Sequence, residues 1–285
     1  MKIWNLQTQR HLYALAVGSA AGAVTGLVGW GGAQTIIPAM TMPIAVANLS
    51  QLSATGVSLT SLSLSTLTSG FKFWEEDRVH VPLALLIGFP AIFSARAGTR
   101  IAQRLSGDAL GLFFNGFSII LIPTHYWIQQ RAKTKSSVDK EALSSKVQSL
   151  SFTADNAPQL SQHAAFGIIS GIISSLMGVG GLPLAMSYIT EATGLPHHYV
   201  QGTAVCALAP SVIMSATSRL NAIPLATAGV VCIGASVGGY FGARAALYLN
   251  EEQLRNLYMG SLVIFGGRSA LGASQNIRRI LQGKR

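Results

Sequence analysis

The chain has 285 residues, 49% of them hydrophobic and only 11% charged, with 20 Lys and Arg against 10 Asp and Glu for a formal net charge of +10. A soluble domain ordinarily carries about 25% charge, so a water-soluble enzyme, a disordered tail and a disulfide-rich secreted module are excluded. Uncharged runs cover 11–71, 79–95, 109–130, 156–190, 192–218 and 220–243. A membrane span takes about 20 mostly apolar residues, and the expectation is an all-α, polytopic membrane protein of a cell or organelle membrane.

In chain order, the apolar run after Arg10 is too long for a signal peptide and reads as a first membrane helix. Four helical segments are expected near 11–46, 50–71, 79–103 and 108–128. A polar stretch over 131–162, rich in Ser, Lys and Gln, reads as a linker. Four more segments follow near 163–190, 197–218, 222–248 and 253–273, for about eight transmembrane helices in all. The organisation is a membrane repeat over 1–130, the linker over 131–162, and a second repeat over 163–285.

The duplication is carried by three matches in the same order. Gly29-Trp30-Gly31-Gly32 returns as Gly178-Val179-Gly180-Gly181, 149 positions on. Ala54-Thr55 returns as Gly202-Thr203 after 148, and Gly98-Thr99-Arg100 as Gly242-Ala243-Arg244 after 144. With eight spans the linker, Arg219 and both termini share one side, which the positive-inside rule favours. If the segments after the clusters, 33–47 and 182–190, are separate spans, the linker moves to the other side. That choice decides between parallel and inverted repeats.

The basic residues lie at helix ends, in the linker and in the tail, as topology signals and lipid head-group contacts do. No basic stripe is interleaved with aromatics, so nucleic acid is not an expected partner. Cys206 and Cys232 sit in apolar runs and read as small buried hydrophobes. Neither a metal site nor a cofactor is expected.

Three glycines in four residues cost several kcal/mol of helix propensity, at about 1 kcal/mol each, so each cluster should break its helix. Broken backbone at membrane depth is tolerated where it is buried in protein or lines a cavity. A half-helix starting after the break would turn free N–H groups toward that cavity, which suits an anion. The expected cargo-binding residues are Gly29, Gly31, Gly32, Gln34 and Thr55 in the first half, with Gly178, Gly180, Gly181, Gln201 and Thr203 in the second. Ser58 is a further hydroxyl candidate. Arg100 and Arg244 are candidates for a vestibule that draws anions in.

All ten acidic residues fall in or beside predicted loops. A carboxylate relay or cation path at mid-membrane is therefore disfavoured. Gly234-Ala235-Ser236-Val237-Gly238 matches the nucleophile-elbow pattern, but it lies inside an uncharged run where a helix is expected, not the strand–turn–helix that the pattern needs. The protein is read as no enzyme.

The paired Gly-x-Gly-Gly clusters, the Thr-bearing second helix of each half and the paired Gly-x-Arg ends resemble the TauE/SafE sulfite exporter family. The resemblance implies a permease for sulfite, organosulfonates and related small anions, here by alternating access around two broken helices. Another small anion or organic acid is the alternative cargo, and an intramembrane hydrolase the alternative class.

Overall fold

The computed structural model describes residues 2–41, 48–134 and 157–281; of the linker, 135–156 lie outside the described residues, as do 42–47. The described residues form ten α-helices and one short 3-10 turn, with no strand among them. They are α1 (Lys2–Val28), α2 (Ala33–Thr41), α3 (Gln51–Glu75), α4 (Val81–Arg104) and α5 (Gly107–Thr134), then α6 (Ala157–Met177), α7 (Leu182–Thr193), α8 (His197–Thr217), α9 (Leu225–Tyr248) and α10 (Glu251–Leu281). Each half therefore runs long, short, long, long, long.

Among the described residues, six helices are long and apolar enough to cross a bilayer: Gln7–Val28, Val81–Arg104, Gly107–Ile128, Ala157–Met177, His197–Thr217 and Leu225–Tyr248. The remaining long helices, α3 with 25 residues and α10 with 31, have the length but more polar sequences. In α3 the polarity is spent internally. Thr60, Ser61 and Thr66 return their hydroxyls to the carbonyls of Gly56, Val57 and Leu62 at 2.9, 2.8 and 2.7 Å, as such side chains do in membrane helices. The protein is thus an all-α, multi-pass membrane protein.

Contacts along the helices fix their directions. Gly18, Gly22 and Gly26 of α1 meet Val231, Ala235 and Gly239 of α9 in that order, so α1 and α9 run parallel. Cys232 reaches Ser61, and Ser69 reaches Gly239, so α3 joins them in the same direction. Gly167 and Gly171 of α6 meet Ile87 and Ala91 of α4, and His80 and Gln103 at the ends of α4 meet Thr203 and Ser218 at the ends of α8. These three helices are parallel to one another. Against α3, α8 is antiparallel, because Gly56 meets Arg219 while Gly70 meets Cys206. The small residues let backbones approach closely, the usual way helices adhere in lipid.

The short helices fold back on the long ones before them. Tyr13 Oη donates to Ala39 O at 3.1 Å, which lays α2 antiparallel along α1. His163 Nδ1 pairs with Tyr188 Oη at 2.7 Å, which lays α7 along α6. At 1.5 Å per residue, the 12 residues of α7 reach only about 18 Å, short of the ~30 Å hydrocarbon core, and after α2 Leu49 N–H returns to Met40 O at 2.8 Å. Each half is therefore a helical hairpin followed by three long helices, and the second half points the opposite way. The repeats are inverted. Thr134 and Ala157, where α5 ends and α6 begins within the stretch read as linker, stand on the face opposite Lys2 and Leu281. Of the two arrangements that the sequence left open, parallel or inverted, the return stroke of α2 and α7 gives the inverted one.

Candidate functional site

The helix breaks occur where the glycines stand. Gly29 and Gly31 have φ of +73° and +70°, and Gly178 and Gly180 have +74° and +75°, the same two positions in each repeat. Those angles belong to the left-handed region, where a β-carbon is strained. Gly181 adds a third at +67°, whereas Gly32 turns its N–H onto Thr25 Oγ1 at 2.7 Å. Thr25 itself donates to Ala21 O at 2.9 Å, so one hydroxyl secures the first break.

Because the hairpins enter from opposite faces, their tips meet inside the protein. A β-carbon on Gly31 would lie 2.6 Å from Val179 O, and one on Gly180 would lie 3.3 Å from Leu62 Cδ1. Trp30 and Val179 are buried, and the side chains of Leu62, Leu182 and Val212 surround the meeting point. The two half-helices begin at these tips, so each turns its N-terminal end inward.

Each tip also packs on the Ser/Thr-bearing helix of the opposite half. At the first tip, Gly29 lies against Met186 and Gln201, and Gln201 Nε2 donates to Gly26 O at 2.7 Å while its Oε1 is buried without a partner. Gln34 is occupied by Ser118 Oγ at 2.6 Å. At the second tip, Gly178 lies against Thr55, and Ser58 Oγ donates to Gly178 O at 2.9 Å.

The structure brings the glycine clusters together but not the two threonines. Thr55 stands at the start of α3, and Thr203 accepts from His80 N–H at 2.9 Å beside the far end of α3, where Gly202 meets Phe73. The 18 residues from Thr55 to Phe73 span about 27 Å of helix. One small ligand cannot touch both. Thr55 Oγ1 also donates to Leu52 O at 2.8 Å, so its hydrogen is already committed. Arg100 and Arg244, likewise equivalent, are both exposed and lie toward opposite faces. Arg100 lines an open cavity of about 450 Å³ with Arg96, Thr99, Thr217 and Ser218, at the C-terminal ends of α4 and α8.

Arg219 is a buried residue beside the second tip that the sequence reading placed only as a topology signal. Its side chain is 1% exposed. Nη1 donates to Thr55 Oγ1 at 2.6 Å, Nη2 donates to Ser175 O, and Nε has no partner. Burial draws its pKa down to about 10, which leaves it a cation at neutral pH. The available signal was its isolation: it alone separates the uncharged runs 192–218 and 220–243.

A second polar group, also missed, surrounds the first tip. His125 Nδ1 contacts Ser187 Oγ, and the His125 and His197 rings lie 4.4 and 5.8 Å from that of Tyr258. Trp30 stacks on Phe265 at 5.4 Å nearby. Among the described residues, no three His, Cys, Asp or Glu side chains converge as a metal site. Ser236 stands within α9 with its hydroxyl on Cys232 O at 2.9 Å, which is helix and not a nucleophile elbow.

A family model described as "Sulfite exporter TauE/SafE" matches residues 14–269. The chain is 21% identical over 228 residues to the probable membrane transporter protein YdhB of Bacillus subtilis (strain 168), covering 78% of this chain and 85% of that protein. No solved structure matches it significantly.

Proposed function

The chain belongs to the TauE/SafE sulfite exporter family and is a multi-pass membrane transporter, and from that premise we propose that its cargo is a small sulfur-containing anion such as sulfite or an organosulfonate. The observation that carries the reading is the meeting of two inverted hairpin tips at Gly31 and Val179. Inverted repeats with discontinuous helices at their interface are the architecture in which one site is exposed to each face in turn. Both half-helices present N-terminal ends there, and such ends favour negative charge. No residue from 156 to 190 or from 11 to 71 is acidic, so the tips bring no carboxylate to repel an anion.

Gly29, Gly31, Gly32, Gly178, Gly180 and Gly181 form the moving parts of this reading, with Gln34 and Gln201 holding the tips to neighbouring helices. Cargo enters or leaves through the cavity lined by Arg96 and Arg100. Alternating access follows if one hairpin pair withdraws while the other stays packed. The test is uptake by proteoliposomes of labelled sulfite, against labelled sulfate, labelled acetate and protein-free vesicles. Sulfite flux above all three controls is expected, and flux equal to that of protein-free vesicles removes the proposal.

A further inference from the structure

Among the described residues, Arg219 meets hydrogen-bond acceptors but no counter-charge. A guanidinium offers five N–H donors, of which two are placed on Thr55 Oγ1 and Ser175 O, and Nε–H has none. Among the described residues Arg219 forms no ion pair, and the acids nearest to it in sequence are Glu191 and Glu251. A buried cation with no anion beside it is strongly disfavoured. Lys72, 147 positions earlier and near the opposite face, pairs with Glu75 at 3.2 Å and Glu76 at 2.9 Å.

The surroundings of Arg219 point to what supplies the missing charge. Thr55, which accepts from it, packs against Gly178 at the second tip, and Ser175 lies just before that tip. On the other side, the residues immediately before Arg219 in sequence, Thr217 and Ser218, line the open cavity with Arg96, Thr99 and Arg100. Thr99 in that lining is 2% exposed, with its Oγ1 buried and unpartnered. The open, cationic cavity thus holds an unpaired hydroxyl, and the buried guanidinium that follows its lining residues in the chain has an unpaired Nε–H beside a broken helix.

We infer that Arg219 is the counter-charge of the transported anion, holding two oxygens of one oxyanion on its unspent N–H edge as the anion passes from the Arg96–Arg100 cavity to the Gly178 tip. This rests on the anion-transport reading above and adds the ligand class. A planar fork selects anions with two acceptor oxygens on one centre, such as sulfite, sulfonate or carboxylate, over a spherical halide. Thr55 is then a positioning residue, keeping the guanidinium aimed by accepting from Nη1.

The experiment measures binding and thermal melting of the full-length protein in detergent with sulfite, methanesulfonate, acetate or chloride. The parent is expected to bind at least one of the three oxyanions and to melt higher with it, while chloride has little effect. Arg219→Met removes two hydrogen bonds together with a charge that has no counter-charge, so it should melt close to the parent in anion-free buffer, yet bind the same oxyanion roughly 30-fold or more weakly. Arg219→Lys keeps the charge without the fork and should weaken binding about tenfold. That variant decides the question if Arg219→Met does not fold. Parent-like affinity in Arg219→Met, or in Arg219→Lys when it alone folds, overturns the inference and leaves the anion-transport reading standing. Chloride binding equal to that of the oxyanions also overturns the fork. Binding of acetate but not sulfite, lost in Arg219→Met, supports Arg219 while removing sulfite as cargo. If the parent binds none of the four, both readings fall.

Discussion

Val179 O lies 2.6 Å from the place a β-carbon on Gly31 would occupy, so the tip of one hairpin closes directly on the backbone of the other. The equivalent position on the other tip is looser. A β-carbon on Gly180 would meet only the side chains of Leu62 and Val212, at 3.3 and 3.5 Å.

That asymmetry makes the two glycines unequal in a measurable way. Gly180→Ala should lose about 1–2 kcal/mol, the strain of a left-handed residue with a β-carbon. Gly31→Ala should lose about 2–4 kcal/mol, because overpacking against a carbonyl adds to that strain. Denaturant unfolding in detergent, followed by tryptophan fluorescence from the buried Trp30, reads both. Equal losses, or a greater loss at Gly180, would show that the tips do not abut as described.

The separation of Thr55 and Thr203 predicts independent effects. Thr55→Val removes an acceptor from a buried guanidinium and should destabilise by about 1.5–3 kcal/mol. Thr203→Val strands the N–H of His80 and should lose about 1–3 kcal/mol. The double variant should equal the sum of the two within about 0.5 kcal/mol, as for distant sites. Coupling well beyond that would place both hydroxyls on one shared element.

Helix directions put Thr134 and Ala157 across the membrane from Lys2 and Leu281. Single cysteines at Lys2, Lys140 and Lys284, introduced after Cys206 and Cys232 are replaced by Ala, should label from two sides. A membrane-impermeant maleimide on oriented vesicles should reach positions 2 and 284 together and 140 only from the other face. Labelling of all three from one face would restore the parallel-repeat topology.

Ser236 should matter little. Its hydroxyl serves its own helix by donating to Cys232 O, so Ser236→Ala should change stability by no more than about 0.5 kcal/mol and leave transport intact. A hydrolytic activity in the parent that disappears in this variant would turn the assignment toward an enzyme.

Much of this architecture was legible in the order of residues alone. The uncharged runs have the length of bilayer spans because an isolated charge in hydrocarbon is costly wherever the chain folds. The breaks at Gly29–Gly32 and Gly178–Gly181 were predictable because helix propensity and left-handed backbone are local properties. The duplication was visible because matched glycines keep their spacing. Three things were not local. Whether α2 and α7 continue across the bilayer or fold back depends on contacts such as Tyr13 with Ala39 and His163 with Tyr188, and on that depends which way the second repeat points. Thr55 and Thr203 are equivalent in sequence, yet inversion carries equivalent residues to opposite faces. Arg219 looked like a helix-end charge because the groups that bury it, Thr55 and Ser175, stand 164 and 44 residues away. Only the packing of α3 and α6 around the second tip turns that charge inward, away from water and, among the described residues, without an acidic side chain to pair with it.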